Sequence, residues 1–212
     1  MKNWSYLPLV ALLALLTTSC ARVYQSADAP AVVTEHRRVA LLPPAVTIQN
    51  RVQLGNGKTT ETLETETAEE LQRALFTWML DRQMDGDFQH VTVQDPQSTN
   101  AKLRQLGYFE NKDLGNEWLA QMLGVDAIIT ADFRLDHLLA PEAAVAISIL
   151  TDNVPIPSRQ GAVWLRLYDR DADRVIWSYN RHLSRSYAQQ PEAIINGVMR
   201  HASKKMPYRQ KS

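Results

Sequence analysis

The sequence predicts an α/β (α+β) sandwich: a mixed β-sheet with helices packed on it, a late β-hairpin and a C-terminal helix. Three observations carry this prediction. Short apolar runs of strand character alternate with stretches of helical period. Ala162–Asp169 and Val175–Ser184 flank the polar run Asp169-Arg170-Asp171-Ala172-Asp173, which is a hairpin pattern. From Pro191 onward, Ile194, Ile195, Val198, Met199 and Ala202 recur at helical spacing, and proline suits the first position of a helix. Crossovers mixed with a hairpin give a sheet with both parallel and antiparallel pairs.

The elements follow in chain order. Arg38-Val39-Ala40-Leu41-Leu42 is a buried strand stopped by Pro43-Pro44. Val46, Ile48 and Val52 continue an extended segment. Leu54–Lys58 is a loop. A long helix is predicted from about Thr60 to Met84, with Leu71, Ala74, Leu75, Trp78, Met79 and Arg82 on one stripe and Gly86 past its end. Thr67 and Glu70 have the spacing of a capping box. Phe88–Gln94 alternates as a strand, Gln97–Leu106 is helical, and a helix from Asn116 ends at Gly124. Ala127–Leu135 is a strand.

The chain has 212 residues, 23 basic, 23 acidic and one cysteine. A lone cysteine excludes an internal disulfide framework and a cysteine-rich zinc site. A formal net charge of zero argues against nucleic acid, whose binding needs a basic excess. Charged residues at 22% and aromatics at 8% are values of a globular chain, and the length suits one ordinary domain.

The N-terminus reads as an address. One cation, Lys2, precedes the apolar run Leu7–Leu16, broken only by Pro8. Ten residues are too few to span a bilayer, which takes about 20. A short apolar core after a positive start is the pattern of a secretory signal peptide. Thr17-Thr18-Ser19-Cys20-Ala21 then resembles the lipobox of bacterial lipoproteins, with Thr17 where that family usually has Leu. The resemblance implies cleavage before Cys20, acylation of its thiol and amine, and a membrane anchor of two or more chains. Ala21 is not the acidic residue that retains some lipoproteins in the inner membrane. The expected location is therefore the outer membrane, with the domain facing the periplasm. Loss of Lys2 with residues 1–19 leaves 22 basic against 23 acidic residues. So even a balance offers no electrostatic hint of a partner and assigns recognition to shape and apolar contacts. Residues 20–36 are expected to be the lipidated cysteine and a tether, 37–208 the domain and 209–212 a tail.

Motifs for chemistry are sparse. Gly55-Asn56-Gly57-Lys58-Thr59 ends like a phosphate loop but has Val52 at the first glycine position. Asp169–Asp173 begins like a calcium loop but has Arg174 and Asn180 where glycine and glutamate are required. His36, His90, His137, His182 and His201 show no ligand spacing, and there is no Gly-x-Ser-x-Gly elbow. No cofactor, metal site or catalytic set is assigned, and the chain is expected not to be an enzyme. The segment Pro141–Leu150 is apolar around every face of a helix. Its plain reading is buried core. Its sharper reading is an insertion, flanked by prolines, that packs on a partner, a second copy or lipid. Val145, Ile147, Ile149 and Leu150 are its candidate interface residues.

Arg38-Val39-Ala40-Leu41-Leu42-Pro43, the long helix, Leu123-Gly124-Val125-Asp126-Ala127-Ile128-Ile129 and Arg174-Val175-Ile176-Trp177-Ser178-Tyr179 stand in one order. Together they resemble the CsgG/LpoB/TolB N-terminal-domain-like family of envelope lipoproteins, most of all uncharacterised members of the Bacteroidota type. The resemblance covers roughly residues 37–208 and implies no shared chemistry. It implies that Val39, Leu41, Ala127, Ile128 and Ile129 are sheet core, that Gly124 ends a helix in a left-handed turn, and that Trp177 packs on the last helix or on Trp164. A membrane pore built from two spanning hairpins is not implied, because only residues 140–161 could supply one. The expected function is a non-catalytic protein-binding or assembly module of the envelope, with envelope proteins and the membrane as partners. Its alternatives are a self-assembling homo-oligomer in a secretion or transport complex, and a periplasmic enzyme.

Overall fold

In a computed structural model of the chain, residues 21–48, 59–88, 91–111, 113–135, 161–183 and 190–209 are described. The elements are β1 (Arg22–Gln25), α1 (Ala29–Glu35), β2 (Arg38–Leu41), β3 (Ala45–Ile48), α2 (Thr60–Met84), β4 (Thr92–Val93), α3 (Pro96–Gln105), α4 (Asn116–Leu123), β5 (Ala127–Leu135), β6 (Gly161–Asp169), β7 (Arg174–His182) and α5 (Pro191–Ala202). The strands form one sheet in the order β1-β7-β6-β5-β2-β4, and β3 pairs beside β5 beyond β2. β2, β3 and β4 join by parallel pairs; β6, β7 and β1 join antiparallel. This is the predicted mixed α+β sheet with its late hairpin and last helix.

Alternation along β5 decides which layer sits where. Ala127, Ile129, Ala131, Phe133 and Leu135 point into the larger core, under α2 and α5. Ile128 points the other way, into a smaller core with Leu103 of α3 and Leu119, Ala120 and Leu123 of α4. Of the stripe predicted on α2, Leu71, Ala74, Leu75, Trp78 and Met79 lie inside, whereas Arg82 is partly exposed and lies over the Trp78 ring. Trp177 is fully buried in the core that α5 also enters, its ring stacked 6.3 Å from Tyr179. Trp164 faces the opposite side of the sheet, where the Arg134 guanidinium lies 4.9 Å from its ring centre.

Two glycines are required by geometry. Gly124 closes α4 at φ 71°, the left-handed turn expected of it. Gly161 has φ 129°, and a Cβ there would collide with the Arg134 carbonyl.

Three expectations are corrected. Residues 21–36 are not a tether. Arg22–Gln25 pairs with β7, and α1 places Ala29 and Val33 in the larger core. All four β1 residues are exposed, so no alternation marked the strand, and a seven-residue helix that buries two side chains is too short to show a period. Second, Thr67 and Glu70 form no cap. Thr67 is buried inside α2, and Thr59 is the cap, accepting from the Thr62 amide at 3.1 Å. Third, the strand expected over 88–94 is reduced among the described residues to Thr92–Val93.

His36 follows α1 and ties three distant segments together. Its Nε2–H donates to Asp169 Oδ2 at 2.7 Å, and its Nδ1 lies 2.6 Å from the Tyr208 hydroxyl. All three residues are buried. Asp169 Oδ1 also accepts from the Ala172 amide. Burial pushes the Tyr208 hydroxyl well above its usual pKa, helped by the charges of Asp169 and Asp126. A raised tyrosine pKa stabilises the fold below the unfolded value, about 10, and the contribution is lost as pH climbs from there toward the folded value.

Tyr208→Phe removes one partner of a buried histidine, so we expect it to lower stability by about 1–3 kcal/mol. The urea midpoint should fall at unchanged slope, and the wild-type loss of stability above about pH 10 should shrink in the variant. An unchanged midpoint would show that the contact is not structural.

Candidate functional site

The strand registers sort the molecule into two ends. Ile48 pairs with Leu135, Leu135 with Gly161, and Ala162 with His182. These residues define the upper end of the sheet. The Arg170–Asp173 turn, the start of β2 and Tyr208 lie at the lower end, around His36.

Arg22 pairs with Asn180, two residues from the end of β7, so β1 enters the fold near the upper end. Ala21 is the first described residue and follows Cys20 directly. Successive Cα atoms are about 3.8 Å apart, so whatever holds Cys20 also holds this end. The connection between Leu135 and Gly161 departs from the same end. Cys20 and the candidate interface residues Val145, Ile147, Ile149 and Leu150 lie outside the described residues. The chain positions that flank them lie toward the same end of the sheet, and no sequence motif announced it. The loop Gly55–Lys58 also lies outside the described residues.

Beside β3 runs a groove of about 560 Å³. Pro43–Val46 form its floor. Glu61, Glu64 and Glu69 of α2 form one wall, and Tyr108 and Phe109 of the α3–α4 connection form the other. Glu64 Oε1 accepts from the Ile48 amide at 2.8 Å, while Glu69 is shared by Arg73 and Arg104 at 4.0 and 3.8 Å. Burial raises the Tyr108 hydroxyl above its usual range, and the Asp132 charge adds to the shift. A second cleft, about 430 Å³, lies between the lower ends of α2 and α5, lined by Arg82, Asp87, Arg200, Lys204 and Arg209 among others. Cations there face the negative ends of both helix dipoles, which accounts for their position without a ligand.

One stretch of α2 is locally acidic, although the total charge is zero. From Thr60 to Gln72, α2 carries Glu61, Glu64, Glu66, Glu69 and Glu70 and no basic residue. Arg22 stands on β1, and Arg181, on β7 and facing α5, donates from Nη1 to His201 Nδ1 at 2.7 Å. The balanced composition hid this local excess.

The carboxylates that resembled a calcium loop have other duties. Asp169 holds His36, and Asp173 accepts from the Tyr168 hydroxyl. Among the described residues, no group of three His, Cys, Asp or Glu side chains is placed to hold a metal, and no helix is long and apolar enough to cross a membrane. Asp126 is a structural acid at the lower end. Its Oδ2 accepts from the Arg37 and Arg38 amides at 2.8 and 2.9 Å, and Arg170 lies 3.5 Å from Oδ1. Burial works to raise its pKa, but the two amides, Arg170 and His36 outweigh it and hold the carboxyl below the usual range.

A depressed carboxyl stabilises the fold above its unfolded pKa and loses that contribution as pH falls through the folded value. We therefore expect stability to decline below about pH 4. Asp126→Asn should be weaker than wild type at pH 7, and the gap should narrow toward pH 2. Urea midpoints at both pH values test this; a gap that stays constant would refute the role of the charge.

Neither a protein-family model nor a curated protein matches the chain. Among solved structures, it is similar to the lipoprotein GNA1162 from Neisseria meningitidis, at 10% identity over 79% of this chain and 96% of that one, TM-score 0.43. It is similar to the PelC L103M dodecamer from Paraburkholderia phytofirmans, at 12% identity over 91% and 99%, TM-score 0.38. It is similar to the LpoB C-terminal domain from Escherichia coli, at 16% identity over 74% and 95%, TM-score 0.32. At these identities and scores, function must be argued from the chain's own residues.

Proposed function

We propose that the protein is a lipid-anchored, non-catalytic protein-binding or assembly module of the cell envelope, held in the outer membrane through Cys20 with its domain in the periplasm. The observation that carries this reading is the absence of slack between anchor and fold. Arg22, two residues beyond Cys20, is already paired with Asn180. An acylated Cys20 would set the upper end of the sheet against the lipid headgroups, because two residues span at most about 7 Å.

This placement gives the apolar segment a role. Leu135 and Gly161, which bracket it, pair with each other at the upper end. Val145, Ile147, Ile149 and Leu150 would then be delivered to the membrane surface, where apolar side chains find lipid or a membrane-apposed partner. The lower end would face away from the membrane. Its carboxylates and His36 are engaged in holding the fold, which favours binding over chemistry.

Two outcomes test the reading. Cys20→Ala should abolish lipid labelling and move the protein from the membrane to the soluble envelope fraction; retention of both would sink the anchor. Deleting Glu142–Leu150 should preserve cooperative unfolding while weakening association with vesicles. If cooperativity is lost instead, the segment is core.

A further inference from the structure

Carboxylates at the lower end are engaged in the fold, but several cations there are not. In the cleft between the lower ends of α2 and α5, Arg82 is held by Asp85 and Asp87 at 3.1 and 3.5 Å and lies 5.4 Å from the Trp78 ring centre. Arg200, Lys204 and Arg209 line the same cleft, are exposed, and form no salt bridge among the described residues. The helix dipoles explain why cations stand beside these two last turns. Each helix end carries only about half a negative charge, so together they offset about one of the three cations. We propose that this cleft is a docking site for an acidic peptide segment of a partner protein, with its carboxylates spaced along an extended chain. This deepens the reading above, because it names the chemistry that a protein-binding module would recognise at the end facing away from the membrane.

The cations are held in place before any partner arrives. Arg200 sits in the last turn of α5, and Lys204 in the short turn Ser203–Lys205 that follows it. Arg209 belongs to neither helix. Met206 and Tyr208 are buried, the Tyr208 hydroxyl lies 2.6 Å from His36 Nδ1, and the Arg209 amide donates to the Met206 carbonyl at 3.1 Å. The His36 network thus fixes the backbone that carries Arg209. Groups ordered in advance lose less freedom when a partner binds.

The geometry also selects the ligand. Phosphate sites use helix N-termini, where free N–H groups converge on concentrated charge. Here both helices end at the cleft, so their free backbone groups are carbonyls, which disfavour a compact dianion. The donors are side chains: the guanidinium forks of Arg200 and Arg209, the Lys204 ammonium, the Ser203 hydroxyl and the Asn196 amide. A guanidinium fork matches a single carboxylate. Arg200 and Lys204 stand about one helical turn apart, roughly 5–6 Å. Alternate side chains of an extended chain are about 7 Å apart. A peptide with an acidic residue at every second position therefore meets these cations in turn.

Full-length protein in non-ionic detergent is titrated into a fluorescent peptide of alternating glutamate and serine, and binding is read by anisotropy. The parent should bind this peptide and not its glutamine–serine counterpart. Arg200→Gln and Arg209→Gln should each weaken binding about three-fold or more, and combining them with Lys204→Gln should abolish it. Lys205 is an exposed cation one residue away that does not line the cleft, so Lys205→Gln should stay within about two-fold of the parent. All four positions are exposed, and far-UV circular dichroism should match the parent. No binding of the acidic peptide, equal binding of its neutral counterpart, or a loss in Lys205→Gln equal to that in Arg200→Gln would overturn the site. Displacement by pyrophosphate at a lower concentration than by unlabelled peptide would overturn a peptide ligand. The assay makes no use of the anchor. Failure of the Cys20→Ala test removes the membrane reading and leaves the cleft to be judged by the peptide, whereas failure of the peptide leaves the anchor standing.

Discussion

Strand β5 is the constraint on which the other elements depend. It pairs with β2 and β3 on one side and with β6 along its whole length on the other. Its alternate residues enter two different cores. A strand buried on both faces must be apolar at both parities, and Ala127-Ile128-Ile129 is. From Thr130 onward one parity turns polar, with Thr130, Asp132 and Arg134. That change marks where cover by α3 and α4 stops. Asp132 pairs with Arg166, Arg134 lies over Trp164, and this half of the face is partly exposed. Where the helices sit is thus read from a single strand.

With β5 in place, the ends divide the labour. The lower end is where segments far apart in sequence are locked. His36 is 133 residues from Asp169 and 172 from Tyr208, yet the three meet in a buried network. Asp126 reaches back over 88 residues to the Arg38 amide at the start of β2. Buried polar groups with all partners present hold a unique arrangement, and the loss of any one leaves the others unsatisfied. A surface exposed to exchange would tolerate more variation. This makes the lower end a structural lock.

The difference between what was legible in the sequence and what was not follows from the range of each signal. Long, periodic or capped elements were legible: α2 from its stripe, α5 from Pro191, β5 and the hairpin from their alternation. Their signals repeat within about ten residues, which is the reach of hydrophobic periodicity. β1 gave no signal because it is an edge strand with every side chain exposed, and it is held by backbone hydrogen bonds to β7 that any sequence can make. The His36 network left none because its members share no local pattern. Likewise, that the chain positions flanking Cys20 and those flanking the apolar segment share one end is a matter of register, known only once β1, β5 and β6 are paired.

Net charge and its distribution point in opposite directions on this molecule. Twenty-three positive and 23 negative side chains cancel. Yet from Thr60 to Gln72 α2 carries five glutamates and no basic residue. Beyond about 8 Å at physiological ionic strength, exposed charges are screened, so a neutral chain of this kind shows little long-range attraction to any partner. What charge does on this molecule it does at short range, in pairs such as Arg166 with Asp132 and Arg170 with Asp126.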